Sequence, residues 1–102
     1  MDKIIGSEIK IKINVTDIDV CKFSATQFEA KFYTTNINRY HIIQKEQMTK
    51  IDDDTYICIV DSSITGLGVL NMQLTIYIPD DTCADGQRTE ILRETTDVKI
   101  IE

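Results

Sequence analysis

Between Gly68 and Pro79 the chain alternates without a fault, with Leu70, Met72, Leu74, Ile76 and Ile78 on one side and Val69, Asn71, Gln73, Thr75 and Tyr77 on the other. A period of two lets a strand press an apolar row against a core and keep a wetter row toward solvent, so this stretch predicts a long strand. Gly66 and Gly68 precede it, and Pro79, which has no backbone N–H to give a ladder, closes it. A second alternation runs from Ser7 to Val15: Ile9, Ile11, Ile13 and Val15 against Glu8, Lys10, Lys12 and Asn14. Lysines opposite branched aliphatics describe a half-buried strand, and they suit an exposed edge.

The remaining segments are shorter. Thr16-Asp17-Ile18-Asp19 reads as a turn. Ser24 to Thr35 admits two readings. Ser24-Ala-Thr-Gln27 could cap a helix with Phe28 and Phe32 on one face. Phe28, Ala30 and Phe32 also alternate with Gln27, Glu29 and Lys31, which favours a strand. After a turn at Asn36 to Arg39, Tyr40 to Ile43 is a short strand and Gln44 to Lys50 a polar stretch. Asp52-Asp53-Asp54 is the sharpest turn signal. Thr55 to Val60 follows, apolar on both faces as a central strand tends to be, and Asp61 can cap one helical turn at Ser62-Ser63-Ile64. Asp80 to Gly86 is a polar loop ending in the Asp85-Gly86 turn pair. Gln87 to Arg93 and Val98 to Ile101 are the last two strands, and residues 1–7 are a flexible N-terminus. About seven strands with frequent turn signals and no crossover helix predict an all-β, immunoglobulin-like antiparallel sandwich. It would form one domain over residues 1–102, with a small barrel as the second choice and parallel sheets excluded.

Composition narrows the function classes. The formal charge is −6 and hydrophobic residues make up 42% of the chain. An acidic domain repels phosphate backbones, so nucleic acid is an unfavoured partner. No apolar run reaches the roughly 18 residues of a membrane span. The first residues lack the apolar core of a signal peptide, so synthesis and folding in the cytoplasm are expected. On that expectation the Asn14-Val15-Thr16 sequon is a chance match. Cys21, Cys58 and Cys83 lack C-x-x-C spacing, and the lone His41 does not complete a zinc set. They read as reduced thiols packed as small hydrophobes. A Cys21–Cys58 bridge between sheets is conceivable, but the compartment opposes it and no Trp stands between them as in antibody domains.

Each candidate chemistry lacks partners. Asp52, Asp53 and Asp54 could hold calcium, alone or with Asp80, Asp81 and Asp85, but adjacent carboxylates in a tight turn cannot all face one ion. Turn formation explains these aspartates better. Ser62 and Ser63 do not sit in a nucleophile elbow, and Gly66-Leu67-Gly68 is not a phosphate loop. Cys58 lies mid-strand, where a thiol is inert, and His41 has no recognisable partner. No enzyme, no metal site and no cofactor site are expected. The candidate interface is Tyr33, Tyr40, Val69 and Tyr77 on outward strand positions, with Lys10 and Lys12 on the edge. Tyrosines at half-exposed positions suit protein interfaces and equally serve to cover a sheet.

Three features occur in a suggestive order: the alternating strand Glu8 to Val15; Asp54-Thr-Tyr-Ile-Cys-Ile-Val-Asp61 leading into Ser62-Ser63; and Gly66-Leu-Gly68 entering the long strand through Thr75. Together with Asp85-Gly86-Gln87-Arg88 in the following loop, they resemble the N-terminal immunoglobulin-like sandwich of phage baseplate upper proteins and similar phage and prophage structural proteins of gut bacteria. The resemblance spans Ser7 to Ile101. It implies a structural or protein-binding module in a tail or baseplate of a phage in its bacterial host, docked on other virion subunits. Edge strands invite pairing with another chain, so homo-oligomerisation through Glu8 to Val15 or Val98 to Ile101 is a further expectation. Baseplate upper proteins continue into a trimerising stretch, whereas this sequence stops at Glu102, so the expectation is the sandwich module alone as an accessory subunit. A small-ligand or carbohydrate-binding sandwich, using the loops at one end, is the alternative.

Overall fold

The row Leu70, Met72, Leu74, Ile76, Ile78 faces inward along its whole length, none of the five more than 8% exposed. The computed structural model describes residues 1–16, 18 and 21–102. The turn expected at 16–19 therefore falls partly outside the described residues. Among the described residues eight strands are present: β1 (Asp2–Ile4), β2 (Glu8–Asn14), β3 (Gln27–Tyr33), β4 (Tyr40–Gln44), β5 (Thr49–Asp52), β6 (Thr55–Asp61), β7 (Gly68–Pro79) and β8 (Gln87–Ile101). One helical turn, α1 (Ser62–Thr65), joins β6 to β7, and single 3-10 turns occupy Phe23–Ala25 and Lys45–Gln47.

The strands form a five-stranded sheet in the order β1-β8-β7-β3-β4 and a three-stranded sheet in the order β2-β6-β5. Two sheets with these crossovers make an immunoglobulin-like β-sandwich, with β4 extending the larger sheet as in variable-type domains. Ile9 and Ile13 of β2 and Tyr56, Cys58 and Val60 of β6 meet the β7 row, Phe28, Ala30 and Phe32 of β3, and Val98 and Ile100 of β8. Each large side chain buried this way contributes about 1.5–3 kcal/mol. Where antibody domains carry a disulfide and a Trp between the sheets, this core carries three aromatic rings. Phe23 stacks on Phe28 at 4.0 Å between centroids, and Tyr56 meets both edge-on at 5.6 and 4.9 Å.

Several local expectations hold. Asp61 caps α1, its carboxylate accepting from the Ser63 N–H at 3.0 Å. Gly66 and Gly68 take φ of 87° and 119°, left-handed values that a side chain resists. A Cβ on Gly66 would also meet the Arg39 guanidinium at 3.2 Å.

Other expectations are corrected. The first seven residues, read as a flexible N-terminus, include β1, which pairs in parallel with Lys99–Ile101 of β8. One parallel pair thus edges a sheet whose other pairs are antiparallel; almost the whole chain serves as its crossover, so no local helix is needed. The helical alternative for Ser24 to Thr35 gives way to strand β3, and the Gln27 side chain donates to Glu46 instead of closing a capping box. The polar stretch after Gln44 holds β5, exposed at every position and therefore without alternation. Gln87 to Arg93 and Val98 to Ile101 are one strand. The polar run between them is a bulge, with the register shifting between Val69 and Asn71 and Thr96 Oγ1 donating to the Leu70 carbonyl at 2.9 Å. Finally, Val98 to Ile101 offers no free edge for oligomerisation, because β1 and β7 flank it.

Candidate docking surfaces

Strand parity sorts the six candidate interface residues onto two faces. Tyr33, Tyr40, Val69 and Tyr77 lie on the outer face of the five-stranded sheet; Lys10 and Lys12 lie on the outer face of the other. Tyr33 is directly opposite Tyr40, and Lys31, opposite Ile42, lays its ammonium 4.2 Å from the Tyr40 ring centroid. Ile42, 40% exposed, completes an apolar corner there that the sequence did not reveal. Tyr77 belongs to the other end of the sheet, where its hydroxyl donates to Glu29 at 3.2 Å while Gln44 donates to the same carboxylate at 2.9 Å. Burial first, then the Glu29 charge, raises the Tyr77 pKa. Val69 sits opposite Lys99, 42% exposed. The four do not form one patch; a polar mosaic of Gln73, Arg93, Asn71 and Thr95 separates them.

On the three-stranded sheet, β6 is central, as its composition implies, but only one of its faces is covered. Tyr56, Cys58 and Val60 point inward, whereas Ile57 is half-buried and Ile59 is 44% exposed. Lys12 lies opposite Ile57 and Lys10 opposite Ile59, so two lysine stems border the isoleucine pair. Nothing among the described residues packs over this row.

Three of the loop aspartates serve the backbone, and Asp53 instead accepts from the Ser24 hydroxyl at 3.1 Å and pairs with Lys50 at 3.2 Å. Asp52 accepts from the Asp54 N–H at 2.9 Å, Asp80 from the Thr82 N–H and hydroxyl at 3.0 and 2.6 Å, and Asp85 from the Gln87 N–H at 3.3 Å. These local bonds, led by Asp54 for Asp52 and by Thr82 for Asp80, lower both carboxyl pKa values. Among the described residues no three His, Cys, Asp or Glu side chains converge on a metal position. His41 Nδ1 accepts from the Asp61 N–H at 3.2 Å. Ser62 is buried and bonded to the β1–β2 turn, its hydroxyl donating to the Ser7 carbonyl at 2.7 Å.

Cys58 is a buried thiol whose pKa is pushed up to about 12 by loss of solvent. Cys21 and Cys83 are half-exposed. Brief alkylation at neutral pH is expected to modify Cys21 and Cys83 on the folded chain and Cys58 only in denaturant. Peptide mass spectrometry reads this directly, and native-state labelling of Cys58 at the rate of the other two contradicts it.

The chain matches no protein-family model, no curated protein and no solved structure. Among the described residues no helix is long and apolar enough to cross a membrane.

Proposed function

We propose that this chain is a non-enzymatic structural module that docks on partner protein subunits and, following the resemblance in its sequence, belongs to a phage or prophage tail or baseplate. One observation supports the docking reading above the others: half-buried Ile57 and exposed Ile59 form an apolar row on the middle strand of a sheet, with nothing among the described residues packed over it. An apolar row flanked on its β2 side by Lys10 and Lys12 suits a partner surface with an apolar centre and an acidic edge. A strand held on both sides presents such a row without further ordering, so little conformational entropy is lost on docking. The virion assignment is supported by the motif order from Glu8 to Thr75.

Particles purified from the native host after prophage induction test both parts. The chain is expected in those particles, with cross-links from Lys10 or Lys12 to another particle protein. Ile59→Asp, at an exposed position that leaves the fold intact, is expected to remove it. Absence of the wild-type chain from the particles overturns the virion assignment. The ligand-binding alternative has a separate readout. A calcium ion or sugar at a hundredfold excess over its Kd stabilises by about 2.7 kcal/mol, which moves Tm by on the order of ten degrees. No such shift is expected, and one would replace docking with ligand capture.

A further inference from the structure

We propose that two copies of this chain associate by pairing their β8 strands antiparallel, with Ile91 on the two-fold axis. The inference extends the docking reading to a second copy of the same chain.

β8 has β7 on one side throughout, while on its other side β1 reaches only Lys99–Ile101. Met1 extends that cover slightly, its amino group donating to the Asp97 carbonyl at 2.7 Å. From Gln87 to Thr96 the outer edge of β8 has no strand partner among the described residues. Natural edges are blunted by charged side chains, lysine above all, and by proline, bulges or shortness. The other edges here follow that rule: β1, β4 and β5 are short, and β2 carries Lys10 and Lys12. The stretch Gln87-Arg-Thr-Glu-Ile-Leu-Arg-Glu-Thr-Thr96 contains no lysine, proline or glycine; its charges, two arginines and two glutamates, balance and so can pair with those of an identical strand, and its Ile91 and Leu92 are 58% and 42% exposed.

Charge selects the occupant and the register. Opposed residues in a sheet share a face, so a symmetric β8 pair can move only in steps that preserve parity. With Ile91 on the axis, Ile91 meets Ile91, Leu92 meets the second copy's Glu90, Arg93 meets Thr89, and Arg88 meets Glu94, every pair but the central one twice. Like charges never face each other. An axis one residue earlier sets Glu90 against Glu90, and one residue later sets Glu90 against Glu94 twice; an axis at Arg93 opposes two arginines. Arg88 also holds Asp80 at 3.2 Å, and a guanidinium with five donors can serve two carboxylates. The same exercise on β2 about its middle residue, Ile11, puts Lys10 against Lys12 twice. The β8 pair joins two five-stranded sheets into one continuous sheet through an isologous contact.

Sedimentation velocity on the full chain, from micromolar to millimolar concentration, is expected to show a monomer–dimer equilibrium. Ile91→Lys places two ammonium groups on the axis and is expected to weaken dimerisation by at least about tenfold, with Tm unchanged because the side chain is exposed. In a Cys21→Ser/Cys83→Ser background, Ile91→Cys is expected to cross-link between copies under mild oxidation, and Thr89→Cys to remain unlinked. A monomer at millimolar concentration overturns the proposal, as does a dimer indifferent to Ile91→Lys. Faster linking through Thr89→Cys than through Ile91→Cys overturns the register. Ile57 and Ile59 lie on the other sheet, so loss of the dimer with the Ile59→Asp effect intact leaves the docking function standing.

Discussion

Phe28→Ala is expected to remove about 3–5 kcal/mol of stability, the cost of emptying a large, fully enclosed core site. Phe28 is 1% exposed and belongs to the five-stranded sheet, yet it stacks on Phe23 and meets the Tyr56 ring edge-on from the three-stranded one. Lys45 closes the cluster from above, its ammonium 5.3 Å from the Phe28 centroid and bonded to the Ser24 and Thr26 carbonyls at 2.7 and 2.6 Å. Those bonds fix the lid, so the surroundings cannot collapse into the vacated space, and the cavity term adds fully to the lost transfer energy. Domains of this size have about 5–15 kcal/mol in all, so the variant should unfold on the order of twenty degrees lower. Urea titration checks it: the midpoint falls while the slope stays the same. Phe28→Leu, which keeps most of the volume, should lose clearly less. A loss below about 1 kcal/mol for the alanine variant would show that the rings do not join the sheets.

The elements legible from sequence are those in which local pattern and tertiary demand agree. The β7 row, the β2 row and the Asp61 cap each carry a period or a side-chain rule that needs no partner to be read. β1 and β5 carry neither. They are strands because β8 and β6 offer them ladder hydrogen bonds, and an exposed edge imposes no alternation. The break expected between Arg93 and Val98 fails for a related reason. Glu94-Thr-Thr-Asp97 has the polarity of a loop, but a bulge can hold polar residues within a strand once Thr96 ties itself to the Leu70 carbonyl. The surfaces were half legible. Parity placed Tyr33, Val69 and Tyr77 outward, but it could not show that Ile57 and Ile59 lack cover or that the outer edge of β8 is open. Both depend on how many strands each sheet acquires, and that number is fixed by long-range pairing that no local window contains.

Ser62→Ala is expected to cost about 1–3 kcal/mol, the range for stripping a buried hydrogen-bonding group of its partner. Ser62 is fully buried; its hydroxyl donates to the Ser7 carbonyl at 2.7 Å and accepts from the Gly6 N–H at 2.9 Å, fastening the β1–β2 turn onto the end of β6. The Ser62 N–H also reaches the Ser7 carbonyl, at 3.2 Å, so that acceptor keeps one donor and only Gly6 loses its sole intramolecular bond. Gly6 is exposed and can turn to water, which places the global cost toward the lower end. The larger consequence is local. β1 is three residues long and its return bond, from the Ile5 N–H to the Ile101 carbonyl at 2.7 Å, lies next to the same turn. Loosening the turn should let β1 open from β8 without unfolding the sandwich. Hydrogen exchange at the Ile5 amide should accelerate well beyond the change at amides of β7, which report the global loss alone. Equal acceleration at Ile5 and in β7 would mean that Ser62 supports the core as a whole and that β1 does not act as a separate cover for the β8 edge.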